Sequence, residues 1–174
     1  MNEIWYRKAP LREHGALQSI EKFFYPLDWV GEWNRFYGAS GFLQYQFVVP
    51  DNRDDVVRSI IETLAEGGWP TALAVLKRMG DSLGPLSFAI PGWTLAVDMP
   101  ADLTGLHGLL DDFDDLVAGA GGRIYLAKDS RTRPELIPVM YPEIDNWRRI
   151  VEGVDPNRTM RSDLDRRLSL RTEL

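Results

Sequence analysis

The chain has no cysteine, only two histidines and four lysines among its 174 residues. Without cysteine there is no disulfide scaffold, no thiolate metal site and no cysteine nucleophile. His14 and His107 alone nearly exclude an imidazole-rich metal centre or a histidine-based triad. No apolar run approaches the roughly 20 residues that a membrane span needs. The opening Met1-Asn2-Glu3-Ile4-Trp5-Tyr6-Arg7 reads as a strand and not as a secretion signal. Positive charge is in deficit as well: 20 basic against 26 acidic residues give a net charge of −6. That balance disfavours nucleic acid as a partner, because phosphate binding needs clustered cations. What remains is 44% hydrophobic and 11% aromatic, enough for a sizeable core in one domain with an appendage.

Charge is uneven along the chain. Between Asp98 and Leu116 there are six Asp and no Lys or Arg, whereas from Asp145 onward seven Arg face six acids. The change of character near Lys128–Pro134 marks a candidate boundary between two structural parts. Before it, the hydrophobic pattern alternates between strand and helix periods. Asp28 is a good N-cap for a short helix bearing Trp29, Trp33, Phe36 and Tyr37, and Gly38 suits its left-handed stop. Gly41–Pro50 predicts a strand. Asn52 and Asp55 resemble a capping box ahead of a helix carrying Val56, Val57, Ile60, Ile61 and Leu64, which ends at Gly67-Gly68. Thr71–Met79 and Trp93–Met99 predict two more strands, separated by a loop. Asp102 is placed to cap a second helix with a buried stripe of Leu103, Leu106, Leu109, Leu110, Phe113 and Leu116. Arg123–Leu126 completes a fourth strand.

The order is β-α-β-β-α-β, which predicts an α+β ferredoxin-like antiparallel sheet with both helices on one face. The rest predicts a C-terminal helical segment: a start near Pro134, a turn set with Ile144, Trp147, Ile150 and Val151 on one side, and a last helix capped by Ser162. These pieces look too short to fold alone.

Gln44 and Gln46 alternate with Leu43, Tyr45, Phe47 and Val49, so both amides share one sheet face and the large apolar groups share the other. Lys77 and Thr94 are candidates for the amide face. Such a floor suits a polyhydroxylated ligand with an anionic group; the alternative is a solvated face of an antiparallel sheet. Lys128, at the end of the fourth strand, is either a charge aimed into a cleft or an exposed partner of Asp129. The run Asp111-Asp112-Phe113-Asp114-Asp115 lacks the glycine and terminal glutamate of a calcium loop and reads as a solvated helix face. No glycine-rich phosphate loop joins a strand to a helix, and no metal site is expected.

Several strings carry a family resemblance. They include Tyr25-Pro26-Leu27-Asp28, Glu32-Trp33-Asn34-Arg35, Gly41-Phe42-Leu43-Gln44-Tyr45-Gln46-Phe47, Pro91-Gly92-Trp93, Gly121-Gly122-Arg123-Ile124-Tyr125 and Ala127-Lys128-Asp129-Ser130-Arg131. Met140-Tyr141-Pro142 and Ser162-Asp163-Leu164 continue the series near the end. In number, order and spacing these resemble the C-terminal part of the decaprenylphosphoryl-β-D-ribose oxidases, within the vanillyl-alcohol-oxidase-type FAD-linked oxidoreductases.

The resemblance implies that residues 1–122 are the later part of a substrate (cap) domain and that 123–174 return to a FAD-binding domain. It implies a FAD-dependent oxidoreductase that oxidises a sugar hydroxyl on a polyprenyl-phosphate carrier, in epimerisation for cell wall biosynthesis. Lys128 matches the family's active-site lysine and Tyr125 a flavin-contacting tyrosine, with Lys128 also near the cofactor. Gln44, Gln46, Lys77, Phe24 and Thr94 match substrate-pocket positions. Two departures stand out: Thr94 and Ala96 replace a familiar asparagine and cysteine, and Phe24 replaces a hydroxyl-bearing aromatic. The part that holds the FAD phosphates is not among these residues, so the chain is expected to be inactive without a complementary FAD-binding domain or chain. A cytoplasmic location follows, with peripheral membrane association as an alternative. Self-association through apolar surface near Trp147, Ile150 and Leu168 is also expected. The competing reading is a stand-alone ferredoxin-like ligand-binding or interaction module without catalysis.

Overall fold

The computed structural model describes Leu17, residues 19–25, 38–81 and 83–171. The expected opening strand and the helix after Asp28 lie outside the described residues. The chain divides into two units, Met1–Phe36 and Tyr37–Leu174. In the first, the described part holds one short helix, α1 (Ile20–Phe24).

The second unit begins with β1 (Phe42–Pro50), followed by a 3-10 turn (Asp51–Arg53) and α2 (Asp54–Glu66). Next come β2 (Leu73–Met79), β3 (Gly92–Pro100), α3 (Leu106–Gly119) and β4 (Arg123–Ile124). The sheet order is β2-β3-β1-β4 with every neighbouring pair antiparallel. That is the predicted β-α-β-β-α-β arrangement.

The core follows from the strand period. Tyr45, Phe47 and Val49 of β1 and Leu95, Val97 and Met99 of β3 are buried on one face. Val56, Ile60 and Leu64 of α2 and Leu106, Leu110, Phe113 and Val117 of α3 belong to the same cluster, so both helices lie on that face. β1 and β3 approach closely where Pro50 pairs with Gly92: a Cβ on Gly92 would stand 1.9 Å from the Val49 carbonyl oxygen. Only glycine fits there.

Several local expectations fail, each for a visible reason. The Asn52/Asp55 capping box does not form, because the chain leaves Pro50 in a 3-10 turn and Asp55 accepts from Arg53 instead. Asp102 does not cap α3; it accepts from Ser40 at 2.9 Å, and the residue before the helix is Gly105 at φ +82°. Leu116 is 44% exposed, and Val117 takes its place on the buried stripe. The fourth strand stops at Ile124, and Leu126–Lys128 turn as a 3-10 helix.

The C-terminal segment has a 3-10 turn (Pro134–Leu136), α4 (Ile137–Met140), α5 (Ile144–Val154) and α6 (Asp163–Leu168). It does not stand alone: Ile137, Met140, Tyr141, Ile144, Leu168 and Leu170 join the core of the sheet. Ser162 caps α6 as predicted, its hydroxyl accepting from Asp165 N at 3.0 Å. Leu168 is buried within the chain and offers no surface for self-association, whereas Ile150 is 53% exposed.

The split between core and surface yields a direct contrast. Phe47→Ala should lower the unfolding free energy by about 3–5 kcal/mol, while Leu116→Ala should lower it by less than about 1 kcal/mol. Denaturant melts of the two variants measure both.

Candidate functional site

The registers settle which side chains share the second face of the sheet. Gln44 pairs with Asp98, Gln46 with Ala96 and Val48 with Thr94; across β3, Lys77 pairs with Thr94. Cross-strand partners point the same way, so Gln44, Gln46, Thr94, Asp98 and Lys77 lie on one face. The centre of this face is not solvated. Thr94 and Asp98 are only 1% and 4% exposed, the two glutamines are half-buried, and Lys77 is exposed.

Burial requires the polar groups to be paired. Gln44 Nε2 donates to Asp98 Oδ1 at 2.6 Å, and Gln46 Nε2 donates to Thr94 Oγ1 at 3.1 Å. Asp98 is a site residue that the sequence reading passed over. The signal for it was available: it stands four residues after Thr94 in a strand, on the same face.

β4 is too short to cover the edge of β1 beyond Gln46, whose carbonyl accepts from Tyr125 N at 2.8 Å. There a recess opens, lined by Gln44, Gln46, Tyr125, Lys128 and Arg131 among others. Lys128 lies at the end of the 3-10 turn and not at a strand end, its ammonium 5.8 Å from the Tyr125 ring centroid. Phe88 stacks on the other partner of that pair, with ring centroids 4.7 Å apart from Tyr125. Burial pushes the Lys128 ammonium below its ordinary range; the Asp98 carboxylate opposes this and Lys77 adds to it. Gln44, Gln46, Tyr125 and Lys128 therefore meet at one recess, with Lys77 and Thr94 on the adjoining sheet face. Phe24, at the end of α1, belongs to the first unit.

The turn that carries Lys128 is anchored from beneath. Asp129 Oδ1 accepts from Thr132 N at 2.8 Å and Arg131 N at 3.1 Å, while its Oδ2 accepts from Arg167 of α6 at 2.5 Å. These bonds hold the Asp129 carboxyl below its usual range despite burial. Arg131 reaches down to Asp114 of α3, donating from Nη1 at 2.9 Å and also from Nη2, and to Asp111 at 3.2 Å. Thr132 also donates to Asp114, at 3.3 Å. Asp114 is fully buried, which corrects the reading of the acidic run as a solvated helix face. It follows Leu110 by four residues, so the helix turns it inward, while Asp112 and Asp115 stay exposed. Burial raises the Asp114 carboxyl to about 6, against the pull of Arg131. Among the described residues no acidic or imidazole cluster is arranged to hold a metal ion, and no helix is long and apolar enough to cross a membrane.

With this geometry in place, the comparisons can be read. No family model matches the chain. It is 46% identical over 171 residues to a decaprenylphosphoryl-beta-D-ribose oxidase of Mycolicibacterium smegmatis, covering 98% of this chain and 37% of that protein. It is 40% identical over 171 residues to an uncharacterized protein in the mprA 5' region of Streptomyces coelicolor, covering 46% of that protein. The chain thus spans less than half the length of these curated relatives, and its likeness to the ribose oxidase agrees with the motif resemblance.

Two stability experiments test the buried network. Asp114→Ala removes the buried partner of the Arg131 guanidinium, leaving it only the half-exposed Asp111, and should cost about 3 kcal/mol, whereas Asp115→Ala should leave stability nearly unchanged. The second concerns pH. A carboxyl whose folded value is raised makes the folded state bind more protons, so its contribution is greatest below pH 4 and declines as pH rises toward 6. Between pH 4 and 6.5, wild type should therefore lose up to about 3 kcal/mol relative to Asp114→Asn in urea unfolding.

Proposed function

We propose that this chain is the substrate-domain and C-terminal portion of a FAD-dependent oxidoreductase that oxidises a sugar hydroxyl. Residues up to 122 would belong to the substrate domain and those from 123 onward to the segment that returns to a FAD-binding domain. The observation that carries this reading is the meeting of Lys128, Tyr125, Gln44 and Gln46 at one recess beside a buried sheet face. The extended likeness to the mycobacterial oxidase supports it.

The donor set fits the reacting end of a flavin and a sugar. It offers one ammonium, two amides and two aromatic rings in tilted contact, Phe88 and Tyr125. It does not fit the rest of FAD. Among the described residues no glycine-rich turn leads from a strand into a helix to cradle a diphosphate, so that part must come from another domain or chain. When bound, a flavin supplies the electron sink that accepts hydride from the alcohol carbon.

The chain's own residues then divide the remaining work. Lys128, held against Tyr125, presents positive charge to the alcohol oxygen, on which negative charge develops as the hydroxyl proton passes to solvent water and from which it is withdrawn as hydride leaves the carbon. The half-buried Gln44 and Gln46 orient sugar hydroxyls by hydrogen bonds. Lys77, exposed on the same face, offers charge for an anionic group such as a polyprenyl-linked phosphate. Tyr125 offers an aromatic edge to the flavin, and its backbone N–H ties it to β1 at Gln46. The absence of cysteine at Ala96 makes this site insensitive to thiol-directed inhibitors.

A chimera tests the proposal. This chain replaces the matching 171 residues of the mycobacterial oxidase, and flavin bleaching is followed with decaprenylphosphoryl-β-D-ribose. The chimera should turn over, and Lys128→Ala within it should lower turnover about 100-fold or more. A chimera that folds and binds FAD but is never reduced by the substrate would overturn the reading. A chain that binds ribose 5-phosphate without flavin would then favour the ligand-binding module.

A further inference from the structure

We propose that Asp98 is the positioning residue of this site, locking the Gln44 amide so that the recess presents a hydrogen-bond acceptor beside the Lys128 donor. The geometry is direct. Asp98 and Gln44 are register partners on neighbouring strands, their side chains meet at 2.6 Å, and the carboxylate is 4% exposed. A carboxylate can only accept, so Gln44 must turn its NH2 group to Asp98 and leave its carbonyl oxygen Oε1 on the other side. Most glutamine amides can be reversed with little loss; this one cannot. Gln46 is not locked in the same way, because its partner, the Thr94 hydroxyl, can donate as readily as accept.

The consequence is a selectivity, which rests on the reading of the site as an alcohol-oxidising one. Gln44 and Lys128 line the same recess. An acceptor beside a cationic donor matches a neutral hydroxyl: its hydrogen goes to Gln44 Oε1 while its oxygen accepts from Lys128 Nζ. A ketone has no hydrogen to give and leaves Oε1 unmet at a half-buried position, which is costly. The site therefore holds an alcohol in preference to the ketone made from it, and oxidation itself weakens the grip on the product. Were the amide reversed, Gln44 would present its NH2 group beside Lys128, and that pair would favour anions or carbonyls.

The lock is tested on the chain itself, without flavin or sugar. In 15N-labelled protein the Gln44 side-chain NH2 resonances, identified by their loss in Gln44→Leu, should exchange with water at least about tenfold more slowly than those of free glutamine. In Asp98→Asn, whose amide no longer dictates the orientation, that protection should disappear while the fold persists by circular dichroism. Wild-type exchange at the free-amide rate would overturn the lock with no variant needed; so would unchanged protection in a folded Asp98→Asn. The selectivity is tested in the chimera, where Asp98→Asn should strengthen inhibition by the keto product relative to alcohol KM by about tenfold or more. An unchanged ratio in a chimera that turns over would overturn it. A chimera that never turns over leaves the lock standing and removes only the alcohol-oxidising reading.

Discussion

The second unit is built on β1, which with β3 forms the centre of the sheet, each of the two paired on both sides. Its antiparallel register with β3 runs unbroken from Phe42–Pro100 to Pro50–Gly92. Because side chains alternate with a period of two, that register assigns Tyr45, Phe47 and Val49 to the helices and Gln44 and Gln46 to the opposite face. A slip by one residue would exchange the two sets, burying amides in the core and exposing three large apolar groups. The close passage at Gly92 pins the register at one end, and Gln44–Asp98 satisfies a buried carboxylate near the other.

The position of Lys128 is the second consequence of the same strand. β4 pairs with only Phe47 and Val48 of β1, so the chain is free to leave the sheet and tighten into a 3-10 turn. A lysine on a two-residue strand followed by a free loop would wander. Here three of the next four residues are held: Asp129 to Arg167, Arg131 to Asp114, and the two backbone amides of Arg131 and Thr132 to Asp129. The ion pairs are not there for stability alone, since buried pairs often do little better than apolar replacements. What they supply is direction, joining α3, the turn and α6 at a point where no strand could. Tyr141 assists from the other side, its hydroxyl donating to Ile124 O at 2.6 Å and its ring lying 5.4 Å below the Arg123 guanidinium.

How much of this was legible in the sequence varies with the range of the interaction. Periodicity is local, and it was sufficient for the order of strands and helices, the two glutamines on one face, the stop at Gly67-Gly68 and the Ser162 cap. The two failed caps show where local chemistry loses to tertiary context: Asp102 found Ser40, 62 residues away in sequence, before it could serve the helix. The acidic run was misjudged for the same reason. Asp114 differs from Asp115 in which side of α3 it occupies: both meet an arginine 17 or 18 residues further on, but only Asp114 does so in the interior. The face of Asp98 followed from its period with Thr94, but its pairing with Gln44, 54 residues away, needed the register, which periodicity does not provide.

Charge on this face links the same residues in a second way. Two lysines and one aspartate lie on or beside this face; Asp98 is buried, Lys128 is half-buried and Lys77 is exposed. Lys77 and burial both act to discharge Lys128, and Asp98 alone among the named influences acts to keep it protonated. The same carboxylate that orients Gln44 therefore also opposes the effect of burial on the Lys128 ammonium. One aspartate thereby couples the acceptor and the donor of the recess. A neutral residue at position 98 would release the Gln44 amide and remove the charge that opposes the effect of burial on Lys128.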